Sequence, residues 1–177
     1  MTAKLDVTVA PLDHDRVFKG CSLVTSDEKL FTDASTLARD FARVKNDVEG
    51  RQMPVVTAVC SETADDDGTY RYFMGDEVQK RGGNKAFEEL LVPAGTLVAV
   101  LPVKFRVEAS AALHAAQVRQ AFYENWLPGS GYESAADELG FADVELYHYR
   151  KRRFRRAKKM VLNLMFVLRE KPQAPDA

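Results

Sequence analysis

Three histidines, two cysteines and a serine set between glycines are the side chains of this 177-residue chain best suited to covalent or metal chemistry, and their spacing argues against it. His14, His114 and His148 fall on an expected turn, helix and strand, with no cysteine or carboxylate at a metal-ligand interval. Cys21 and Cys60 are too few for a disulfide framework, which suits a reducing cytosol. Ser130 sits in Gly129-Ser130-Gly131, but a nucleophile elbow follows a strand and a helical stripe precedes this serine. No Gly-x-Gly-x-x-Gly occurs, and Gly82-Gly83 lacks the lysine context of a phosphate loop. No catalytic residue, no metal and no cofactor is expected.

Aromatic and sulfur-bearing side chains give a richer inventory. By the two-residue period of a strand, Tyr70, Tyr72 and Met74 share one face, and Glu145, Tyr147 and Tyr149 share one face of another strand. On the last strand Val161, Asn163, Met165 and Val167 line one face and Leu162, Leu164, Phe166 and Leu168 the other, so it should lie centrally in a sheet. Asn163 breaks an apolar face. A buried amide left unsatisfied costs roughly 1–3 kcal/mol, so it either bonds a neighbour or anchors a ligand. Ala111, Ala115, Val118, Phe122 and Trp126 recur at three- and four-residue steps and form a helical stripe, which Pro128 and the glycines after it bring to a sharp end. Trp126, the sole tryptophan, either plugs that helix end into the core or stands beside Tyr132 as a cavity wall.

The elements that must position these residues follow from periodicity. Val7 to Val24 reads as strand, interrupted by Pro11 and the Asp13-His14-Asp15-Arg16 turn. Ala34, Leu37, Phe41, Val44 and Val48 step as an amphipathic helix that Thr32 or Asp33 would cap and that ends near Gly50. Val55 to Cys60 and Tyr70 to Val78 form a hairpin about the turn Asp65-Asp66-Asp67-Gly68. Arg81-Gly82-Gly83-Asn84 reads as a hinge. After it, strand material from Phe87 to Phe105, a helix from Ala111 to Trp126 and strands at Val144–Tyr149 and Met160–Leu168 repeat the order of the first half. The expectation is α+β: two pseudo-symmetric strand–helix–strand–strand repeats, about 5–80 and about 85–170, in one domain spanning 1–170 with a tail at 171–177. Their joined antiparallel sheet is expected to carry helices on one face and a ligand cleft on the other.

The totals bound the partners. With 29% charged residues and a net charge of −1, the chain makes no global electrostatic case for nucleic acid or an anionic membrane. No charged-then-apolar leader opens it and no run of about 18 apolar residues could span a bilayer, so a cytoplasmic location is expected. Locally, Arg150 to Lys159 is a dense basic block between two strands. It reads as a solvated ribbon, or as a surface through which Arg152, Arg153, Arg155 and Arg156 engage an acidic partner or a nucleic-acid backbone. Asp65-Asp66-Asp67 and Asp76-Glu77 are the candidate counter-charges.

One string supports a resemblance. Tyr-x-x-Trp-Leu-Pro-x-Ser-Gly-Tyr-Glu, at Tyr123 to Glu133, resembles the signature of the GyrI-like (gyrase-inhibitor-like) family, which also serves as the effector-binding module of bacterial AraC- and MerR-type multidrug-sensing transcription activators. Tyr72-Phe73-Met74-Gly75-Asp76-Glu77-Val78 and Val92-Pro93-Ala94-Gly95-Thr96 resemble two further family pieces. Together these cover much of residues 70–133. The resemblance implies two repeats with a small-molecule pocket between them. No helix-turn-helix module fits in the available length, so the DNA-binding half of fused relatives is not expected.

Relatives commonly place a glutamate near the middle of the last strand, where it meets cationic ligands or, in some members, assists hydrolysis of reactive cyclopropanoid compounds. Asn163 stands there in this chain, and a neutral amide neither holds a cation nor acts as a base. Glu145 on the adjacent strand is the acid placed to substitute. The expected function is a stand-alone domain that binds a drug-like or amphipathic organic molecule against Tyr70, Tyr72, Met74, Trp126, Tyr132, Glu145, Tyr147, Asn163 and Met165, in ligand sensing, regulation through another protein, or toxin sequestration. The alternatives are an interaction module acting through residues 150–159 and a hydrolase using Glu145.

Overall fold

The computed structural model describes residues 5, 7–79, 84–151 and 158–172. In chain order the elements are β1 (Val9–Pro11), β2 (Arg16–Ser26), α1 (Leu30–Val44), β3 (Val56–Ser61), β4 (Thr69–Val78), β5 (Glu88–Val92), β6 (Leu97–Val103), α2 (Ala111–Ala121), β7 (Tyr132–Ser134), α3 (Ala136–Leu139), β8 (Asp143–Lys151) and β9 (Lys158–Glu170). The strands form one curved, open, antiparallel sheet in the order β1-β6-β9-β8-β3-β4-β2-β5, and β7 pairs with β9 beyond the end of β8. The class is α+β.

Read outward from the β3–β8 junction, that order is the same in both directions. β3, β4, β2 and β5 correspond to β8, β9, β6 and β1. The outermost strand of each half comes from the other repeat, since β1 leads into β2 but pairs with β6, and β5 leads into β6 but pairs with β2. The two crossing turns hold each other. Leu12 N donates to Thr96 O at 2.9 Å, Gly95 N to Leu12 O at 2.8 Å, and Ala94 N to Asp15 Oδ1 at 2.8 Å. Gly95, at φ 83, supplies the left-handed residue that this turn requires.

The helices α1 and α2 lie on one face. Phe41 of α1 packs with Val17 and Val78, while Ala111 and Ala115 of α2, with Phe122 just after it, meet Leu162, Leu164, Phe166 and Leu168 of β9. β9 is apolar on both faces and sits between β6 and β8, as its sequence demands. The helix α1 starts earlier than its capping residues suggest, because Asp33 does not cap it. Its carboxylate accepts the Thr25 hydroxyl at 2.7 Å and ties the first turn to β2.

The face opposite α1 and α2 differs from the expectation. In place of an open cleft it carries a buried core in which Phe18, Phe73, Val92, Val98, Leu146 and Met165 participate. Only the one-turn α3 reaches this core, through Leu139, and it is too short to cover it, so the sheet curls until its two halves cover each other. Arg16 of β2 and Met165 of β9 are separated by three intervening strands, yet Nη1 reaches Sδ at 3.7 Å. Fully burying side chains of this size contributes about 1.5–3 kcal/mol each, enough to impose the curvature.

The close approach of β2 to β4 depends on glycine. Gly20 and Gly75 are cross-strand partners, and a Cβ on Gly20 would collide with the carbonyl of Met74 and the Cα of Gly75, both backbone atoms that cannot step aside. Gly20→Ala should therefore lower the free energy of unfolding by about 3 kcal/mol, at the upper end of overpacking costs. Urea denaturation followed by circular dichroism measures it, and a loss below about 0.5 kcal/mol would contradict the contact.

Candidate functional site: the groove between the helices

Three strands at the middle of the sheet build the floor of the site. The pairings Met74↔Val59↔Glu145 and Asp76↔Thr57↔Tyr147 put these residues in two rows on the helix-bearing face, with Ser61↔Tyr72 beginning the next row. α1 packs over β2 and β4, and α2 over β6 and β9, so the junction of β3 with β8 runs along a groove between the helices. Val59 is buried there, whereas Tyr72, Met74, Glu145 and Tyr147 keep part of their surface open.

Charge enters from α2. Arg119 grips Asp143 with two nitrogens, Nε at 3.0 Å from Oδ2 and Nη2 at 2.7 Å from Oδ1, and Nη2 also reaches Glu145 Oε1 at 3.1 Å. The Tyr147 hydroxyl donates to Glu145 Oε2 at 2.6 Å, and the Tyr123 hydroxyl lies 3.5 Å from Asp143 Oδ2. Burial, followed by the charge of Glu145, pushes the Tyr147 phenol well above its ordinary value. Burial and then Glu145 do the same to Tyr72. Burial, then Asp143, raises Tyr123. These hydroxyls remain protonated hydrogen-bond donors throughout the neutral range. At the far end of the floor, Asp76 is 1% exposed and is satisfied by Thr57 Oγ1 at 2.6 Å and Arg51 Nη1 at 3.2 Å.

The α2 exit explains how Tyr123 reaches the floor. The residues Phe122–Trp126 form a π-helical turn closed by Leu127 N donating to Phe122 O at 2.9 Å, and the extra residue in that turn rotates the following side chains. Phe122 stacks on Phe166 with ring centres 3.8 Å apart, Tyr123 meets Phe166 edge-on at 5.5 Å, and Trp126 stacks between Phe122 and Tyr132.

The residues singled out from sequence thus fall into groups. Tyr72, Met74, Glu145 and Tyr147 meet on one surface. Tyr70 shares their face but lies further along β4, buried, with its hydroxyl donated to Asp27 at 3.0 Å. Trp126 and Tyr132 belong to the aromatic stack that seals the end of α2. Asn163 and Met165 point to the side opposite α1 and α2. Asn163 Nδ2 hydrogen-bonds His148 Nε2 at 3.2 Å, and Met165 is fully buried in the core. Arg152, Arg153, Arg155 and Arg156 lie outside the described residues, as do residues 80–83, which include most of the expected hinge. Asp76 and Glu77 are engaged by Arg51 and Arg16.

Arg119, Asp143 and Tyr123 were missed. The two-residue period from Glu145 already put Asp143 on the same face of β8, but no local pattern links α2 to β8 across more than twenty residues. Another depression, of about 350 Å³, is lined by Gly95, Thr96, Glu138, Leu168 and Arg169 among others and contains no aromatic side chain.

No family model and no curated sequence matches the chain. Solved structures do. SAV2435 bound to tetraphenylphosphonium superposes with a TM-score of 0.62 at 8% identity, over 93% of this chain and 94% of that one. A putative bacterial transcription regulation protein from Staphylococcus aureus MU50 gives 0.58 at 11% identity, over 93% and 99%. An integron cassette protein from Vibrio cholerae gives 0.53 at 8% identity, over 92% and 95%. The fold is theirs. It is consistent with the GyrI-like fold that the motifs at Tyr72–Val78, Val92–Thr96 and Tyr123–Glu133 resemble, and identities this low show the fold alone.

The phenols give the site a pH signature. A group whose pKa is raised by folding contributes stability that is complete below its unfolded value and is lost as pH rises through the folded one. The ordinary tyrosine value is about 10. The melting temperature should therefore fall as pH rises beyond it, and fall less steeply in Tyr147→Phe. Melting curves taken across that range test this, and equal slopes for the two proteins would contradict it.

Proposed function

We propose that the groove between α1 and α2 binds a drug-like or amphipathic organic molecule with a flat aromatic body. The observation that carries this reading is the juxtaposition of Tyr72, Met74 and Tyr147 with the carboxylate of Glu145 on partly open sheet surface between two helices. Apolar and aromatic side chains supply area and ring contacts, while one charged group fixes orientation, which is the usual composition of a small-molecule site. The fold neighbour SAV2435 was solved with tetraphenylphosphonium, four phenyl rings about a cation, and that supports the same class of ligand here. The resulting role is ligand sensing or sequestration. Glu145 is held by Arg119 and Tyr147, which suits a fixed charge better than a base that must exchange protons during hydrolysis.

Isothermal titration calorimetry of a panel of aromatic cations and neutral dyes tests the proposal. At least one compound should bind, and Tyr72→Ala and Glu145→Gln should each weaken a cationic binder about tenfold, the effect of losing roughly 1.4 kcal/mol. Leu113→Ser, on the exposed side of α2, should leave affinity unchanged. A folded protein that binds nothing in the panel would overturn the proposal.

A further inference from the structure

We infer that Arg119 fixes the charge of the molecule that the groove accepts: lodged between Asp143 and Glu145, it cancels one of two negative charges and leaves a site for a single positive charge on the ligand. This inference rests on the groove reading above and adds a selectivity residue to it.

The three side chains are unequally satisfied. Asp143 is 11% exposed, and both its oxygens accept hydrogen bonds from Arg119, with Tyr123 near the second. Glu145 is more open at 20%. Its Oε2 accepts from Tyr147, while its Oε1 has a single 3.1 Å contact with an Arg119 nitrogen that already makes a 2.7 Å bond to Asp143. The Glu145 contact is the weaker limb of a shared donor. A cation arriving over Tyr72 and Tyr147 can therefore take Glu145 Oε1 without disturbing the Arg119–Asp143 pair.

Arg119 is a permanent charge in this setting. Burial alone would lower its pKa, but hydrogen bonding to Asp143 and the charges of Asp143 and Glu145 outweigh that and hold it above its ordinary value. Two carboxylates and one guanidinium leave one net negative charge facing the groove. A dication would bring a second charge with no partner into a partly desolvated site, and a neutral molecule would cover Glu145 without replacing the hydration it displaces.

Calorimetric titration with three compounds built on one aromatic skeleton and bearing no, one or two quaternary ammonium groups separates these cases. The wild-type chain should bind the monocation about tenfold more tightly than either of the others, in keeping with charge interactions at such a site. Arg119→Gln leaves two negative charges and should shift the preference to the dication. Arg119→Gln combined with Asp143→Asn restores one net charge and should return the preference to the monocation. Glu145→Gln, which leaves the Arg119–Asp143 pair intact and the net charge at zero, should favour the neutral compound and serves as the decisive variant if Arg119→Gln fails to fold. An unchanged order of affinities in Glu145→Gln or in folded Arg119→Gln overturns the inference while leaving the groove in place. Failure of the folded wild type to bind any of the three overturns it together with the groove reading.

Discussion

The face of the sheet opposite α1 and α2 has to bury Phe18, Phe73, Val98 and Met165 with only the single turn of α3 to lay beside them. Curling the sheet is the remaining way to remove them from water, and most of the architecture follows from that requirement. The crossing β1–β2 and β5–β6 turns meet at Leu12, Gly95 and Thr96 because the curl brings the two ends of the sheet together. Gly20 and Gly75 lie opposite each other where β2 and β4 press closest. The curl also decides where function can sit. With one face largely taken up by that core, the other keeps partly open sheet along the strip that α1 and α2 leave between them.

That strip is where the chain tolerates charge in a half-buried setting. Carboxylates taken partly out of water are costly unless hydrogen-bonded and paired. The floor meets this requirement with two arginines, Arg51 serving Asp76 and Arg119 serving Asp143 and Glu145, and with hydroxyls from Thr57 and Tyr147. Asp76 is sealed by its partners. Glu145 is held loosely enough to remain available, and that difference in satisfaction separates a structural carboxylate from a binding one.

Strand periodicity made much of this legible. The alternation in Tyr70–Met74, Glu145–Tyr149 and Val161–Leu168 put each residue on the correct side of its own strand, and the element order indicated two repeats. Periodicity does not say which side is which. The sides of two strands are related only by pairing register, and register is set by contacts between residues far apart in sequence. Asn163 and Met165 were therefore grouped with Glu145 and Tyr147, although Leu146, not Glu145, lies opposite Asn163 in the ladder. Trp126 shows a second limit. Its stripe was readable, but the π-helical turn that aligns it with Phe122 and Tyr132 comes from packing against Phe166 and has no local signature. The Arg119–Asp143 pair joins a helix flank to a strand, a geometry that residue spacing does not encode.

The exchanged edge strands carry a consequence for how such a chain could arise and how it can be divided. A single repeat supplies three strands, a helix and a leading ribbon that finds its partner strand only on another repeat. Cut out alone, it would show an unfilled flank and offer a spare arm, so two identical copies would complete each other by reciprocal insertion. Joining two such copies into one polypeptide turns an encounter between molecules into a fixed intramolecular arrangement. Each half is then free to diverge, and a symmetric groove can acquire a lopsided set of charges such as the one Arg119 gives to only one wall.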